Sequence, residues 1–429
     1  MSKRTLPQRA LALPALTVTA SLALCGVLAA PATAAQPAAP AGPLTGPAAG
    51  RAATTPLALA SYDRRTGKAR LTAPRAARGP HAPAAETAGV RPGQLIASPP
   101  SAAAPRGALL AITAVEPAAG GQVEVSTRPA TIAELLGDAD AALHKELDPR
   151  AIQVKPLLKD LKVSYTKRAD GADGHASAAL ELDADTSVPL PGGASASLSG
   201  SVEVDPAVNF SYTGTKGILR PQQAKVGLDL GAHADWHISA GLSASATPVR
   251  IPLAKLSASP VLMVGQLPVV VNLDLTLAAE IGADGSVTLD TQQDINGSWS
   301  IEGSYTKGEG WKTATTPLTV NASPVRAKLS GNASVRTGLA ADASVALYDT
   351  VGLKASVKPY LRTSVNGTVT VDSSGAAPVV QGSAGLYGGF DLTGALMARI
   401  AVFGTPLFEK DIPLGSLHRE WTIAERTTG

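Results

Sequence analysis

Residues 269–281 read VVVNLDLTLAAEI, and this stretch decides the fold. Its odd-numbered positions, from Val269 to Ile281, are all aliphatic, whereas its even-numbered positions include Asn272, Asp274 and Glu280. Because successive side chains of a β-strand point to opposite sides of the sheet, this period of two predicts a strand with one apolar and one polar face. Such a run, at about 3.3 Å per residue, would be about 40 Å long, roughly twice the usual length of a strand.

The same alternation recurs along most of the chain from about Val154 to the C-terminus. Turn-forming residues separate several of the runs, at positions 169–174, 282–286 and 372–376, and predict hairpins. The clearest alternating runs read HASAALELDAD, ASASLSGSVEVD, GSWSIEGSY and VGLKASVKPYLRTSVNGTVTVD. The sequence therefore predicts an all-β domain over residues 151–429, built as a large antiparallel sandwich or an open barrel of long amphipathic strands.

The residues on the apolar side of these strands are small. Alanine, valine and leucine dominate, and aromatic residues make up only 3% of the chain. A core lined by alanine either brings two sheets close together or leaves a groove that a ligand fills. The sequence leaves both alternatives open.

The N-terminus predicts export. A basic head (Lys3, Arg4, Arg9), an apolar run over residues 11–30 and small residues at 32–34 form a signal peptide over residues 1–34. The single cysteine, Cys25, lies within it, so the mature chain is predicted to have no thiol chemistry. We expect a secreted, extracellular protein, loosely associated with the cell surface at most and without a transmembrane segment after signal removal.

Residues 35–88 are rich in alanine, proline and arginine and show no sustained period of two or 3.6. This composition predicts a flexible linker. From Ala35 to Pro92 the chain carries eight basic and two acidic residues. The basic residues would attract an anionic envelope weakly, although a soluble spacer is the simpler interpretation. Without the three basic residues of the signal peptide, the chain has 34 basic and 34 acidic residues, and we expect no nucleic-acid partner.

Residues 89–150 predict a small hairpin-plus-helix unit. Two strand-like runs, Leu109–Val115 and Gln122–Thr127, flank the turn sequence PAAGG. Thr131 and Glu134 then have the spacing of a capping box at the start of a helix, which would continue into IAELLGDADAALHKEL.

One segment raises the question of a metal site. In LGAHADWHIS, His233 and His237 are four residues apart, but the alternation predicts a strand, and Ala234 replaces the glutamate of a zinc-protease HExxH motif. On a strand His233, Asp235 and His237 share a side at intervals of about 7 Å, so that neighbouring members are candidates to share a metal with a further ligand. The simpler interpretation, which we adopt, is a solvated polar face without a metal.

Catalytic motifs are absent from the sequence. It contains no GxSxG, P-loop or GxGxxG motif, and its four tryptophans supply few of the aromatic residues that line glycosidase clefts. We therefore predict a non-enzymatic protein without catalytic or cofactor-binding residues and without a cofactor.

Three segments resemble known proteins. The C-terminal stretch GLYGGFDLTGALMARIAVFGTPLFEKDIPL and the earlier VALYDTVGLKASVKPYLR resemble β-rich domains of uncharacterised secreted proteins from actinobacteria and related bacteria, and similar pieces occur in fungal extracellular proteins. The segment PRGALLAITAVEPAAGGQVEVSTRPATIAELL is similar to the unit that precedes those domains. The resemblance implies a β fold and export, and it brings no activity or functional residue.

Three functions are compatible with these observations. The first is a surface-associated, structural or adhesive β protein whose polar strand faces contact a cell-envelope polymer. The alternative is an extracellular carrier that binds a lipid or another apolar ligand between its long sheets. A hydrolase without a recognisable motif is the third and least supported.

Overall fold

The computed structural model describes residues 53–72, 89–117, 122–167, 178–189, 195–214, 223–242, 245–306, 309–371, 379–402 and 405–427. The predicted signal peptide, with Cys25, lies outside these ranges. The described residues form eighteen β-strands, one α-helix of five residues and a short 3-10 turn at Pro149–Ala151. The predicted all-β class is therefore confirmed.

Five strands near the N-terminus form a small antiparallel sheet in the order β1-β2-β5-β4-β3. Its core consists of buried aliphatic side chains such as Leu59, Leu71, Ile112 and Val125. The predicted hairpin is confirmed, because β4 pairs with β5. The strands are β1 (Ala58–Asp63), β2 (Lys68–Thr72), β3 (Leu95–Ser98), β4 (Ala108–Pro117) and β5 (Val123–Pro129).

The linker prediction for residues 35–88 is wrong for β1 and β2. These strands pair with each other, and β2 also pairs with β5. Leu57, Leu59, Ala69 and Leu71 are buried. These four small or aliphatic residues are enough to hold β1 and β2 in the sheet because β4 and β5 provide the rest of the core. The composition of residues 35–88 alone does not reveal that contribution. Residues 35–52 and 73–88 lie outside the described residues.

The predicted helix begins where expected and ends early. The Thr131 side chain accepts a hydrogen bond from the Glu134 N–H at 3.2 Å, and the Thr131 N–H donates to Glu134 Oε2 at 2.7 Å, which completes the capping box. The helix α1 (Ile132–Leu136) stops at Gly137, whose φ is +55°. The residues that follow form strand β6 (Asp140–Glu146), which pairs with a strand of the large sheet and not with the small one. The helix of the predicted hairpin-plus-helix unit is therefore shorter than predicted.

Thirteen strands form the large antiparallel sheet, with a main path β18-β17-β16-β15-β14-β11-β10-β9-β8. Strands β6, β7, β12 and β13 join this path at its sides. The strands are β6 (Asp140–Glu146), β7 (Gln153–Pro156), β8 (Lys162–Lys167), β9 (Ala178–Pro189), β10 (Ser195–Thr213), β11 (Gln223–Leu242), β12 (Ser245–Ala258), β13 (Val261–Val264), β14 (Leu267–Thr306), β15 (Gly310–Leu347), β16 (Val351–Val371), β17 (Val379–Val402) and β18 (Thr405–Thr427).

Strand β14 is the spine of this sheet. It is 40 residues long and pairs with β15 along almost all of its length. Its other edge pairs in turn with β13, β12 and β11. Every odd-numbered residue from Val269 to Ala283 is buried, so the predicted alternation is confirmed. The predicted hairpin at residues 282–286 is wrong, because β14 continues through it; the predicted turns at 169–174 and 372–376 lie outside the described residues.

The apolar side of the large sheet packs against itself. Gln293 donates from Nε2 to Thr337 Oγ1 at 3.0 Å, although the ladder partner of Thr337 is Ile281. Gln293 therefore reaches Thr337 across the interior and not along the sheet. A Cβ on Gly303 would lie 2.6 Å from Leu353 Cδ2, so the two layers also touch at that glycine.

A line of glycines crosses the sheet between the two halves of β14. Gly331 has a φ of +145° and pairs with Val287 on β14 and with Gly367 on β16, whose φ is +120°. A Cβ at Gly331 would lie 2.3 Å from the Ser286 carbonyl oxygen, so no other residue fits this backbone. Glycine at such positions lets a long sheet change direction. The turn-like sequence at 282–286 belongs to this line and marks a bend, not a hairpin.

The small sheet is fastened to the large one by Arg106, which lies between β3 and β4. Its guanidinium contacts both carboxylate oxygens of Asp274 at 2.9 and 3.3 Å and lies 3.2 Å from Asp349. Asn272 donates to the Arg106 carbonyl oxygen at 3.1 Å. On the apolar side Leu109 belongs to the core of the large sheet. The second side of the small sheet is therefore buried only when the large sheet is present.

Candidate functional site

A tyrosine is buried on the outer, polar side of β14–β18. Tyr360 of β16 is only 6% exposed, although its neighbours at even positions of the strand face water. In the ladder it lies between Gly338 of β15 and Gly389 of β17. A Cβ on Gly389 would lie 2.3 Å from Tyr360 Cζ, so the phenol ring lies directly over that glycine. Gly389 therefore leaves room on the sheet for the flat ring.

Charged side chains hold this ring in place. The Arg336 guanidinium lies 3.5 Å from the ring centroid, a cation–π contact, and the Tyr360 hydroxyl donates to Glu420 at 3.1 Å. The His418 ring is stacked near it, with centroids 6.3 Å apart. Burial, with the hydrogen bond to Glu420 and the charge of that carboxylate, raises the pKa of Tyr360 to about 12. The phenol is therefore a neutral hydrogen-bond donor at ordinary pH.

Ion pairs extend from the ring on both sides. Arg362 donates from Nε and Nη2 to Glu420 at 2.9 and 2.5 Å, and these hydrogen bonds hold the pKa of Glu420 below its usual value. Asp391 contacts Arg336 and lies 2.6 Å from His418 Nδ1. Burial raises the pKa of Asp391, but the hydrogen bonds from His418 and Arg336 outweigh this effect and lower the pKa overall.

Arg336, Tyr360 and Asp391 border a groove with a cavity volume of about 150 Å³. Its charged lining consists of two acids and two bases, and Lys358 Nζ lies 3.1 Å from Glu280. Glycines at 282 and 338 and prolines at 248 and 359 complete the lining together with Leu339. We call this the outer groove; its polar residues are Glu280, Arg336, Lys358, Tyr360 and Asp391. The outer groove presents hydrogen-bond donors and acceptors side by side. The charges of its two acids and two bases cancel.

A second cavity lies on the apolar side of the same strands. It has a volume of about 60 Å³ and lies between the two layers of the large sheet. Small residues line much of it, including Ala232, Ala234, Gly297 and Ala341. We call it the inner cleft. The sequence left open whether the small core residues bring two layers close together or leave a groove. The structure shows both, because the layers touch at Gly303 and leave a cleft near Ala234.

The three candidate metal ligands lie on strand β11, as predicted, with buried Ala234 and Trp236 between them. His237 Nε2 lies 2.5 Å from Asp290, and His233 Nδ1 lies 3.9 Å from Asp294. Each imidazole thus has its own carboxylate neighbour on β14. Across the described ranges, no group of three histidine, cysteine, aspartate or glutamate side chains is arranged to hold a metal ion.

The outer groove escaped the sequence analysis. Its only local signal is the row Lys358, Tyr360 and Arg362, at even positions of a strand whose odd positions are apolar. The partners of this row lie on β14, β15, β17 and β18, and the register that joins them is a property of the assembled sheet.

Comparison of the chain with models of protein families, with curated proteins and with solved structures finds no match in any of the three. In the part of the chain that the structure describes, no helix has the length and apolar character needed to cross a membrane.

Proposed function

We propose that the protein is a secreted, non-enzymatic β protein that associates with the cell envelope by binding a neutral saccharide of an envelope polymer in the outer groove. The observation that carries this proposal is the lining of the groove. Two bases, two acids and a neutral phenol face one cavity of about 150 Å³.

This lining suits a ligand made of hydroxyl groups. A hydroxyl both donates and accepts a hydrogen bond, so it pairs equally well with the guanidinium of Arg336 and with the carboxylate of Glu280. Hydrogen bonds in which one partner is charged are the stronger ones. A polyanion would gain from the two bases and be repelled by the two acids, so the balance of charge favours a neutral ligand.

The groove is also held rigidly, as binding sites require. Its residues lie on paired strands, Tyr360 is fixed over Gly389, and Arg336 is held both by the ring and by Asp391. A preorganised site loses little conformational entropy when the ligand binds. The proposal is for binding alone.

The test is co-sedimentation of the purified secreted chain with an insoluble actinobacterial cell-wall preparation. Lys358→Ala removes a groove cation that lies 3.1 Å from Glu280. Lys225→Ala is its matched control. Lys225 lies on strand β11, away from the groove, and its Nζ lies 3.0 Å from Glu302 on strand β14. We expect Lys358→Ala to lower the bound fraction severalfold and Lys225→Ala to leave it unchanged.

Salt separates this mode of binding from simple charge attraction. Binding of a neutral saccharide should persist at about 0.5 M NaCl, where attraction between exposed charges is screened within a few ångströms. Attraction through the basic N-terminal residues would be lost under these conditions. Equal binding of the two lysine variants, or loss of binding in salt, would overturn the proposal.

A further inference from the structure

Strand β18 forms one end of the large sheet and is open to solvent. Within the described residues it pairs only with β17, and it ends the main strand path. All nine residues from 415 to 423 are exposed, on both sides of the strand. Among the described strands, the second edge of β18 therefore has no neighbour. A row of backbone N–H and C=O groups at such an edge is a template for pairing with another chain.

Large apolar side chains lie along this exposed stretch. Of the eight large hydrophobic residues that are exposed in the described ranges, Leu417, Trp421 and Ile423 fall within seven residues of β18. Trp421 pairs with Gly388, and Gly388 pairs in turn with buried Leu361. Trp421 and Leu417, four residues apart on one strand, therefore face the inner, apolar side of the sheet. That apolar side is left uncovered at β18.

The stretch 415–422 lacks several of the features that protect an edge strand. Its register with β17 is continuous, without a bulge, and it contains neither lysine nor proline. At the other end of the main path, β8 is only six residues long and has a lysine at each end, Lys162 and Lys167. Of these two edges, β18 is therefore the one suited to pairing with another strand.

The sequence of β18 is complementary to itself in an antiparallel pair. With Arg419 on the two-fold axis, Leu417 lies opposite Trp421 of the second copy, and His418 lies opposite its Glu420. Apolar side chains thus meet on the inner side, and an imidazole meets a carboxylate on the outer side, which are favourable cross-strand pairs. Arg419 alone meets its own copy. Its exposed side chain is long enough to turn to the diagonal Trp421 of the second copy.

We propose that the protein forms a two-fold dimer in which the β18 strands of two copies pair antiparallel about Arg419 and join the two large sheets into one. The contact uses the same surface on both copies, so assembly stops at two chains. An axis perpendicular to the sheet keeps both outer grooves on one side of the joined sheet. The dimer therefore offers an envelope polymer two sites, a consequence that rests on the proposed function.

The first test is sedimentation velocity of the purified secreted chain over a range of concentrations, and we expect the mass of two chains. Leu417→Lys removes the pair with Trp421 twice and puts a charge on the apolar side of the contact. The dimer Kd should therefore rise by about tenfold or more. Met263→Lys is the matched control, because Met263 is 52% exposed, against 45% for Leu417, and lies on β13. It should leave the dimer Kd unchanged. An unchanged circular dichroism spectrum confirms that each variant is folded.

Single cysteines test the register of the pair. Cys25 is the only cysteine of the chain, so in a Cys25→Ser background each variant carries one thiol. With oxidised glutathione, Arg419→Cys should form a disulfide-linked dimer by itself, because directly opposed Cβ atoms of an antiparallel pair lie about 4.5–5.5 Å apart. Ser416→Cys and Thr422→Cys should each remain a single chain when oxidised alone and should cross-link when mixed.

The outcomes separate the dimer from its alternatives. A single-chain mass at every concentration, or the same Kd for Leu417→Lys and Met263→Lys, would overturn the dimer. A mass that grows beyond two chains would indicate head-to-tail pairing of β18 with β8 and would overturn the two-fold contact. Cross-linking of Ser416→Cys with itself would overturn the register about Arg419. Lys358 lies outside the contact, so loss of envelope binding in Lys358→Ala supports the proposed function whether or not the dimer forms.

Discussion

Replacement of Gly389 by alanine tests whether the glycine makes room for the tyrosine of the outer groove. The new methyl group would lie 2.3 Å from Tyr360 Cζ, far inside contact distance. The phenol ring is the mobile partner in this clash and must leave the sheet. It then loses its contact with the Arg336 guanidinium and its hydrogen bond to Glu420.

The expected cost follows from those two losses. A cation–π contact at a half-exposed site is worth about 0.5–1 kcal/mol. A hydrogen bond to a carboxylate is worth about 1.5–3 kcal/mol when it is shielded from water, and less here because the Glu420 side chain is partly exposed. Alanine in a strand recovers about 0.5 kcal/mol relative to glycine. With about 1–2 kcal/mol for this partly exposed hydrogen bond, we expect Gly389→Ala to lower the free energy of unfolding by about 1–2.5 kcal/mol and to abolish envelope binding.

The assay is urea unfolding followed by tryptophan fluorescence, with equal m values as the condition for comparison. Gly394→Ala on the same strand is the control, because a Cβ there has its nearest neighbour at 3.9 Å, and we expect a change within about 0.5 kcal/mol. A double-mutant cycle with Tyr360→Ala isolates the clash. If Gly389→Ala costs as little as Gly394→Ala, or costs the same with and without Tyr360, the reasoning is refuted.

Three further predictions concern the rest of the molecule. Arg106→Ala should lower the free energy of unfolding by about 1–3 kcal/mol, because the Arg106 side chain is only 28% exposed. Arg128→Ala, the control, should cost less than about 1 kcal/mol, because the Arg128 side chain is 53% exposed. Equal costs of the two variants in urea unfolding would contradict the role of Arg106. The raised pKa of Tyr360 stabilises the fold below pH 10, where an unfolded tyrosine is still protonated, and this stability is lost as the pH rises from 10 to about 12. Between these pH values the free energy of unfolding of Tyr360→Phe should therefore fall less steeply than that of the wild type. An unchanged slope would count against the raised pKa of Tyr360. Gly303→Val should cost about 1–3 kcal/mol by overpacking against Leu353, and a variant of wild-type thermal stability would show that the layers do not touch there.

The features that the sequence predicted correctly depend on neighbouring residues. The alternation of residues 269–281 requires only that successive side chains point to opposite sides, so it is visible in one strand alone. The capping box of Thr131 and Glu134 likewise joins residues three positions apart. The strand assignment of the segment with His233 and His237 rests on the same local period.

The features that it missed depend on distant partners. Strands β1 and β2 contain few apolar residues and become strands because β5 pairs with β2. Strand β6 follows a true helix start and pairs with β10, more than sixty residues later. The outer groove depends on a register across five strands that sets Tyr360 between two glycines. No local pattern contains this information.

The attachment of the small sheet through Arg106 has a consequence for the order of folding. Arg106 and Asp274 are 168 residues apart in the chain, and Leu109 packs into a core formed mainly by strands that follow it. Contacts between residues so far apart form slowly, because a long loop must close before they contribute. The small sheet, which precedes most of the large sheet in the chain, is therefore among the last parts to reach its final packing, and until then one of its sides stays open to chaperones and proteases.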